Sequence, residues 1–204
     1  MTRLRVASIV EGDGEVVAVP LLLRRLWYEL LRGEFIDVLN PYHLKRGYLF
    51  SSEQKKLQEA VEYNRLRIKR HPDQSMSGLV LLLADRDPAP EPTCVLGPMM
   101  QHSMAAIASD CESTAVFVDI EFESWFFAAA PSLTEFLQLD LDEWERSLQA
   151  GSKGGKGWIQ RRFLGPRYKE TADQPRLVAA MDLALCRQNS PSFDKLCREL
   201  EKRL

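Results

Sequence analysis

The stretch GLVLLLA, residues 78–84, is an unbroken run of apolar residues with the length of one β-strand. Such a run is typical of a central parallel strand that is buried on both faces of a sheet. Three further apolar segments have strand character, and they cover Arg3–Val10, Phe35–Leu39 and Thr114–Asp119. We therefore predict a sheet of about four strands in which residues 78–84 form a central strand.

The segments between these strands have the pattern of helices. In Glu15–Arg32 apolar residues recur at three- and four-residue steps, although Pro20 interrupts the segment. The helices Ser52–Arg70, Gly97–Ala108 and Glu121–Ala130 complete the alternation. Strands that alternate with helices predict an α/β fold with a mostly parallel, Rossmann-like sheet flanked by helices.

The character of the chain changes after residue 131. Short helices are predicted over Asp142–Leu148, Gln174–Cys186 and Ser192–Leu204, and no further strand is apparent. We therefore expect an α/β domain over residues 1–130. Residues 131–204 are expected to form a helical C-terminal extension packed on the same domain. The apolar-rich last helix leaves room for a homodimer.

Composition excludes several classes of protein. The 204 residues carry a net charge of −2, so the chain as a whole is no basic nucleic-acid-binding protein. Its four cysteines form no CxxC pair, which argues against a zinc site or a disulfide framework. The sequence shows neither a signal peptide nor an apolar run long enough for a membrane span, so we expect a cytoplasmic protein without a membrane partner.

Acidic residues follow three of the four predicted strands. They are Glu11 and Glu15 after the first strand, Asp85 and Asp87 after the third, and Asp119, Glu121 and Glu123 after the fourth. The carboxyl ends of neighbouring parallel strands meet at one edge of a sheet, where ligands bind in α/β folds. Carboxylate oxygens are the ligands that Mg²⁺ prefers, and two such ions can assist phosphoryl displacement.

Each acidic cluster also has an ordinary structural explanation. Acids are favoured in the first turn of a helix, and DRDP (85–88) is common turn chemistry. Gly12 and Gly14 suggest a tight turn that brings the backbone close to a ligand. The coincidence of three acidic clusters at one predicted edge favours the metal site over the structural explanation.

A basic segment follows in GSKGGKGWIQRRFLGPRYK, residues 151–169. Its cations are Lys153, Lys156, Arg161, Arg162, Arg167 and Lys169, and the segment contains no acid. Cations neutralise phosphates and interleaved aromatic rings stack on bases, so the segment is predicted to bind nucleic acid. The alternative is a solvated loop followed by an amphipathic helix with Trp158 and Phe163 in the core. The loop does not match a phosphate-binding Walker A motif.

The motifs IVEG (9–12) and LLLADRD (81–87) resemble the Toprim superfamily of topoisomerases, bacterial-type primases and overcoming-lysogenisation-defect nucleases. A closer likeness is to a domain-of-unknown-function family of small stand-alone Toprim-like proteins, several of which are encoded beside ATPase genes in defence-like loci. It rests on four stretches, residues 10–26, 121–129, 167–175 and 191–199. The chain departs from this family in having Leu83 and Arg86 where acids are common, and Ile120 where arginine is common.

The resemblance implies a Mg²⁺- or Mn²⁺-dependent nuclease acting on DNA or RNA, with Glu11, Asp85 and Asp87 as metal ligands. Glu15, Glu121 and Glu123 would bind a second metal or orient water. Lys156, or else Lys153, would stabilise charge on the scissile phosphate. A role in phage defence beside a partner ATPase follows from the same likeness. The alternative is a non-catalytic module that binds metal or nucleic acid and regulates that ATPase.

Overall fold

A computed structural model of the chain describes residues 3–51, 54–71, 73, 75–86, 89 and 91–204. Its sheet contains β1 (Arg3–Val10), β2 (Phe35–Val38), β3 (Tyr42–His43), β4 (Ser77–Asp85) and β5 (Glu112–Val118). All the paired strands are parallel and the order across the sheet is β2-β1-β4-β5, with β3 also beside β1. The predicted α/β fold with a parallel sheet is therefore confirmed.

Helices connect and cover the strands. In the described part of the chain the α-helices are α1 (Asp13–Arg25), α2 (Arg46–Leu49), α3 (Lys55–Lys69), α4 (Thr93–Ile107), α5 (Glu123–Ala128), α6 (Leu141–Gln149), α7 (Lys156–Arg162), α8 (Glu170–Ala180), α9 (Leu183–Asn189) and α10 (Pro191–Glu201). No helix among the described residues is both long and apolar enough to cross a membrane.

Most predicted helices differ from the structure in their boundaries, and α4, for example, begins at Thr93 rather than at Gly97. The first helix begins at Asp13, passes through Pro20, and ends in a wider π-helical turn at Leu26–Leu30. The predicted helix Gln174–Cys186 is two helices, because the Asp182 side chain accepts a hydrogen bond from the Leu185 N–H (2.9 Å) and begins α9 there. An aspartate at the N-cap position of a helix stabilises the helix start in this way.

The residues of β4 divide the apolar core into two layers. Leu79, Leu81 and Leu83 lie in the first core layer, with α1 and the C-terminal helices. Val80, Leu82 and Ala84 lie in the second core layer, with α3 and α4. Successive side chains of a strand point to opposite faces, so an unbroken apolar run is what a strand between two layers requires.

The C-terminal helices share the first core layer with the strands. Leu177 of α8 and Phe193 and Leu200 of α10 are fully buried there, together with Leu81 of β4. The C-terminal helices therefore pack directly against the α/β part of the chain.

Two glycines, Gly12 and Gly14, follow β1. The close packing of α1 on α8 explains why position 14 is a glycine. The chain bends at Glu11 and Gly12, as the prediction of a tight turn requires, but neither glycine has a positive φ, since Gly12 is extended and Gly14 lies inside α1. A Cβ at Gly14 would lie 2.3 Å from Oε1 of Gln174 and 2.9 Å from the backbone carbonyl carbon of Glu170. Gly14 is needed for the approach of two helices.

We expect Gly14→Ala to destabilise the protein by about 1–3 kcal/mol, because α8 must move away from α1. Urea denaturation measures the effect. Gly47→Ala is the matched control, since a Cβ at Gly47 has nothing within 4 Å. Equal stability of the two variants would contradict the packing assigned to Gly14.

Candidate functional site

The order of the strands brings the predicted acidic residues to one edge of the sheet. Asp85 ends β4, which lies between β1 and β5. Glu11 follows β1 directly, and Glu121 and Glu123 follow β5. We call this edge, with the acids Glu11, Glu15, Asp85, Glu121 and Glu123, the acidic rim. Asp87 falls outside the described residues, so its predicted role as a ligand stays a prediction.

Asp85 has the most unusual environment of these acids. Its Oδ1 atom is buried and has no hydrogen-bond partner among the described residues. Burial, followed by the charges of Glu15, Glu11, Glu123 and Glu121, raises the pKa of Asp85 well above its usual range. A carboxylate held in this way gains stability from any cation that reaches it.

Glu15 folds back over the start of its own helix. Its Oε2 accepts hydrogen bonds from the backbone N–H of Glu11 (3.1 Å) and of Gly12 (3.3 Å). Burial raises the pKa of Glu15 to about 8, although these hydrogen bonds oppose the rise. Glu15 therefore also caps the N-terminal end of α1.

Glu123 is buried at the start of α5 and is held by two side chains from the C-terminal part of the chain. Tyr168 Oη donates to its Oε1 (2.8 Å), and Gln174 Nε2 donates to the same oxygen (3.1 Å). Burial raises the pKa of Glu123, and these two hydrogen bonds oppose the rise. The aromatic ring of Tyr168 is buried too, so it is not available to a nucleic-acid base.

The loop between β5 and α5 has a strained backbone. Ile120 takes a φ of +81°, which is rare for a β-branched residue and often marks a functional loop. Beside it, Glu121 Oε2 accepts the backbone N–H of Lys156 (2.7 Å). A Cβ at Gly155, whose φ is +132°, would lie 2.8 Å from this oxygen, so glycine permits the contact.

The six predicted nucleic-acid-binding cations differ in their surroundings. Lys156 lies beside the acidic rim, since its backbone N–H donates to Glu121 Oε2, and its side chain pairs with Glu170. Lys153 Nζ is 3.6 Å from Oδ2 of Asp119, the residue after β5. Arg162 pairs with Glu143 on α6 (2.6 Å).

The other three cations are on the surface. Arg161 is exposed on α7, and Arg167 and Lys169 line a groove beside α8. The interleaved Trp158 packs edge-to-face on Phe127, at 4.9 Å between ring centroids.

Arg46 is a rim residue that sequence reasoning missed. Its Nη1 donates to Oε2 of Glu11 (3.0 Å) and to the carbonyl of Asp85 (2.7 Å), and its Nη2 donates to the carbonyl of Arg86 (3.0 Å). It comes from α2, which is 35 residues beyond Glu11 in the sequence. One sequence signal could have pointed to Arg46, because the segment 42–51 contains cations and no acid.

The donor set of the acidic rim fits a hard divalent cation in its chemistry. The side chains are all carboxylates, and the partnerless Asp85 oxygen is the position where a cation would replace a missing partner. In the described part of the chain, no three Asp, Glu, His or Cys side chains are close enough together to hold an ion as they stand. Glu11 would have to exchange its contact with Arg46 for the ion.

The fold and the rim define an α/β protein with a carboxylate cluster at the carboxyl edge of a parallel sheet. The family model described as "Domain of unknown function (DUF4276)" matches residues 10–201, so the chain belongs to this family. A solved structure of the C-terminal region of the Burkholderia pseudomallei OLD protein is similar, with 12% sequence identity and a TM-score of 0.46. The similarity covers 96% of this chain and 98% of that one. No curated protein matches the chain.

Proposed function

We propose that the protein is a metal-dependent nuclease of Toprim type that hydrolyses phosphodiester bonds of nucleic acids. The observation that carries the proposal is Asp85, whose buried Oδ1 has no hydrogen-bond partner among the described residues and which lies among four other carboxylates. Like charges packed this closely and shielded from water repel one another, so the arrangement is unfavourable without a cation between them. Active sites are where such perturbed groups concentrate.

In this proposal Glu11, Asp85 and Asp87 hold Mg²⁺ or Mn²⁺. Glu15, Glu121 and Glu123 bind a second ion or orient the attacking water. The bound ion would supply Lewis-acid stabilisation of the phosphate oxygens and a more acidic water.

Lys156 is the proposed stabiliser of negative charge on the phosphate. Its ammonium group is partly exposed, and Glu170, Glu123 and Glu121 raise its pKa, with the hydrogen bond to Glu170 as the largest cause. It is therefore charged at neutral pH and close to the rim. Lys153, near Asp119, takes the second position along the same loop.

The alternative function is a non-catalytic module that binds metal or nucleic acid and regulates a partner ATPase, as a monomer or a homodimer. The specific observation in its favour is that cations already neutralise acids around the rim. Arg46 pairs with Glu11, and Lys156 pairs with Glu170. A module of this kind would bind nucleic acid without cleaving it.

The deciding experiment is a cleavage assay on labelled single-stranded DNA, duplex DNA and RNA with Mn²⁺, Mg²⁺ or EDTA. We expect cleavage that needs metal and falls at least about 100-fold in Glu11→Gln, since a metal contributes several kcal/mol to such a transition state. Glu59→Gln is the matched control, because Glu59 pairs with Lys56 on the surface of α3. Binding without cleavage, unchanged in Glu11→Gln, would favour the regulatory module.

Tyr168 is expected to act as a positioning residue for Glu123. Tyr168→Phe removes one of the two hydrogen bonds to the Glu123 carboxylate. We expect Mn²⁺ affinity to fall about tenfold, because partners of a metal ligand fix its orientation. Calorimetric titration measures the affinity. Tyr28→Phe serves as control, since the Tyr28 hydroxyl accepts the Ile36 N–H elsewhere. Unchanged affinity in Tyr168→Phe would make the hydroxyl a purely structural group.

A further inference from the structure

The segment 42–51, YHLKRGYLFS, lies against the acidic rim. Arg46 is anchored there by Glu11 and by the carbonyl groups of Asp85 and Arg86. These three contacts tie α2 to the carboxyl ends of β1 and β4. The residues that follow Arg46, up to Phe50 at the C-terminal end of α2, therefore have a fixed position beside the rim.

Phe50 presents an aromatic ring at this position. The ring centroid lies 5.0 Å from the guanidinium carbon of Arg46 and 6.0 Å from the ring centroid of Phe117. Phe50 is 38% exposed and its neighbour Tyr48 is 50% exposed. The segment thus combines exposed rings with two cations, Lys45 and Arg46, and has no acid.

Two cationic elements flank the acidic rim from opposite faces of the sheet. Leu44 and Leu49 place the segment 42–51 on the second core layer. Ile159 and Trp158 place α7, with Lys156, on the first core layer. A polyanion that crosses the rim would meet positive charge on both sides, which is the charge complementarity that nucleic-acid binding requires.

We propose that Phe50, with Arg46, is a stacking platform for an unpaired base, and that the substrate of the acidic rim is therefore single-stranded nucleic acid. The inference rests on the proposed function and names its substrate class. Bases of a duplex are stacked inside the helix, whereas a single strand exposes the base faces that an aromatic ring binds. Arg46 beside the ring adds a positive charge for the adjoining phosphate.

The chain contains a matched control for this platform. Phe35 is 41% exposed, and the guanidinium carbon of Arg3 lies 5.2 Å from its ring centroid. Phe35 begins β2, so this pair lies at the amino edge of the sheet, away from the acidic rim. The two pairs have the same chemistry and nearly the same geometry, and they differ in location.

The experiment compares binding of a fluorescent oligonucleotide of about 12 nucleotides, single-stranded or as a duplex, by anisotropy. It is done in EDTA and again in Ca²⁺. We expect wild type to prefer the single strand. Phe50→Leu is expected to weaken single-strand binding by about fivefold or more, because one base–ring stack is lost. Phe50→Tyr, which keeps the ring, and Phe35→Leu are expected to bind as wild type does.

Three results would overturn the platform: equal affinity for duplex, equal effects of Phe50→Leu and Phe35→Leu, or no binding of the single strand in either buffer. Failure of the nuclease proposal is a separate result. A protein that prefers single strands through Phe50 but cleaves nothing retains the platform and loses the activity. One that cleaves duplex normally in Phe50→Leu retains the activity and loses the platform.

Discussion

Asp85→Asn is expected to stabilise the metal-free protein and to abolish the stabilisation that Mg²⁺ or Mn²⁺ gives to wild type. Asparagine keeps the shape of the side chain and removes a charge that burial and four neighbouring acids oppose. We expect a gain in stability at pH 8 in EDTA, because the unfolded state ionises this carboxyl freely whereas burial and the neighbouring acids oppose its charge in the folded state.

Added metal should make wild type more stable than Asp85→Asn, which reverses their order of stability in EDTA. An ion at 100 times its Kd stabilises the folded state by about 2.7 kcal/mol. Wild type gains this increment and Asp85→Asn is expected to lose it, together with cleavage. Urea denaturation at pH 8, with EDTA or with Mn²⁺, measures both effects, and calorimetric titration measures the ion directly.

Asp37→Asn is the matched control for this reversal. Asp37 accepts the Nε hydrogen of Arg5 (2.8 Å), and Arg5 is buried. Its loss leaves a buried guanidinium without its carboxylate, so we expect a loss of about 2 kcal/mol or more, the same with and without metal. If Asp85→Asn also destabilises the metal-free protein, Asp85 is a structural residue and the metal site is not at this rim.

The positions of the strands and of the rim acids follow from local pattern. A buried parallel strand needs an unbroken apolar run, and residues 78–84 are such a run. Polar residues begin directly after this run, where the strand leaves the core. The local sequence alone therefore places Asp85 at the carboxyl edge of the sheet. The short strand β3 was missed because Tyr42 and His43 are too few residues to show a period of two.

The partners of the acids depend on tertiary structure and could not be predicted. Glu123 is held by Tyr168 and Gln174, which are 45 and 51 residues away in the sequence. Arg46 reaches Glu11 only because β3 and α2 bring the chain back over the end of β1. The local sequence marks the stretches that contain these side chains, but it does not show which acid each of them contacts. The same holds for Gly14, whose neighbour on α8 is far along the chain.

Glu15→Gln is expected to change how the stability of the metal-free protein depends on pH. The pKa of Glu15 is about 8 in the folded protein, against an ordinary value of 4.5. Between these values the folded state holds a proton that the unfolded state has lost. The contribution of Glu15 to stability is therefore fully present at and below pH 4.5 and falls by about 1.4 kcal/mol for each pH unit up to pH 8.

The variant isolates this contribution, because glutamine is uncharged throughout and still offers an oxygen to the N–H groups of Glu11 and Gly12. Urea denaturation from pH 5 to pH 8 in EDTA should give a steeper fall for wild type than for Glu15→Gln, with the largest difference at pH 8. Added Mg²⁺ should stabilise wild type more at pH 8 than at pH 6, because an ion binds the deprotonated acids. Parallel curves for the two proteins would show that Glu15 is ionised at neutral pH. Glu15 would then add its negative charge to the acidic rim at neutral pH.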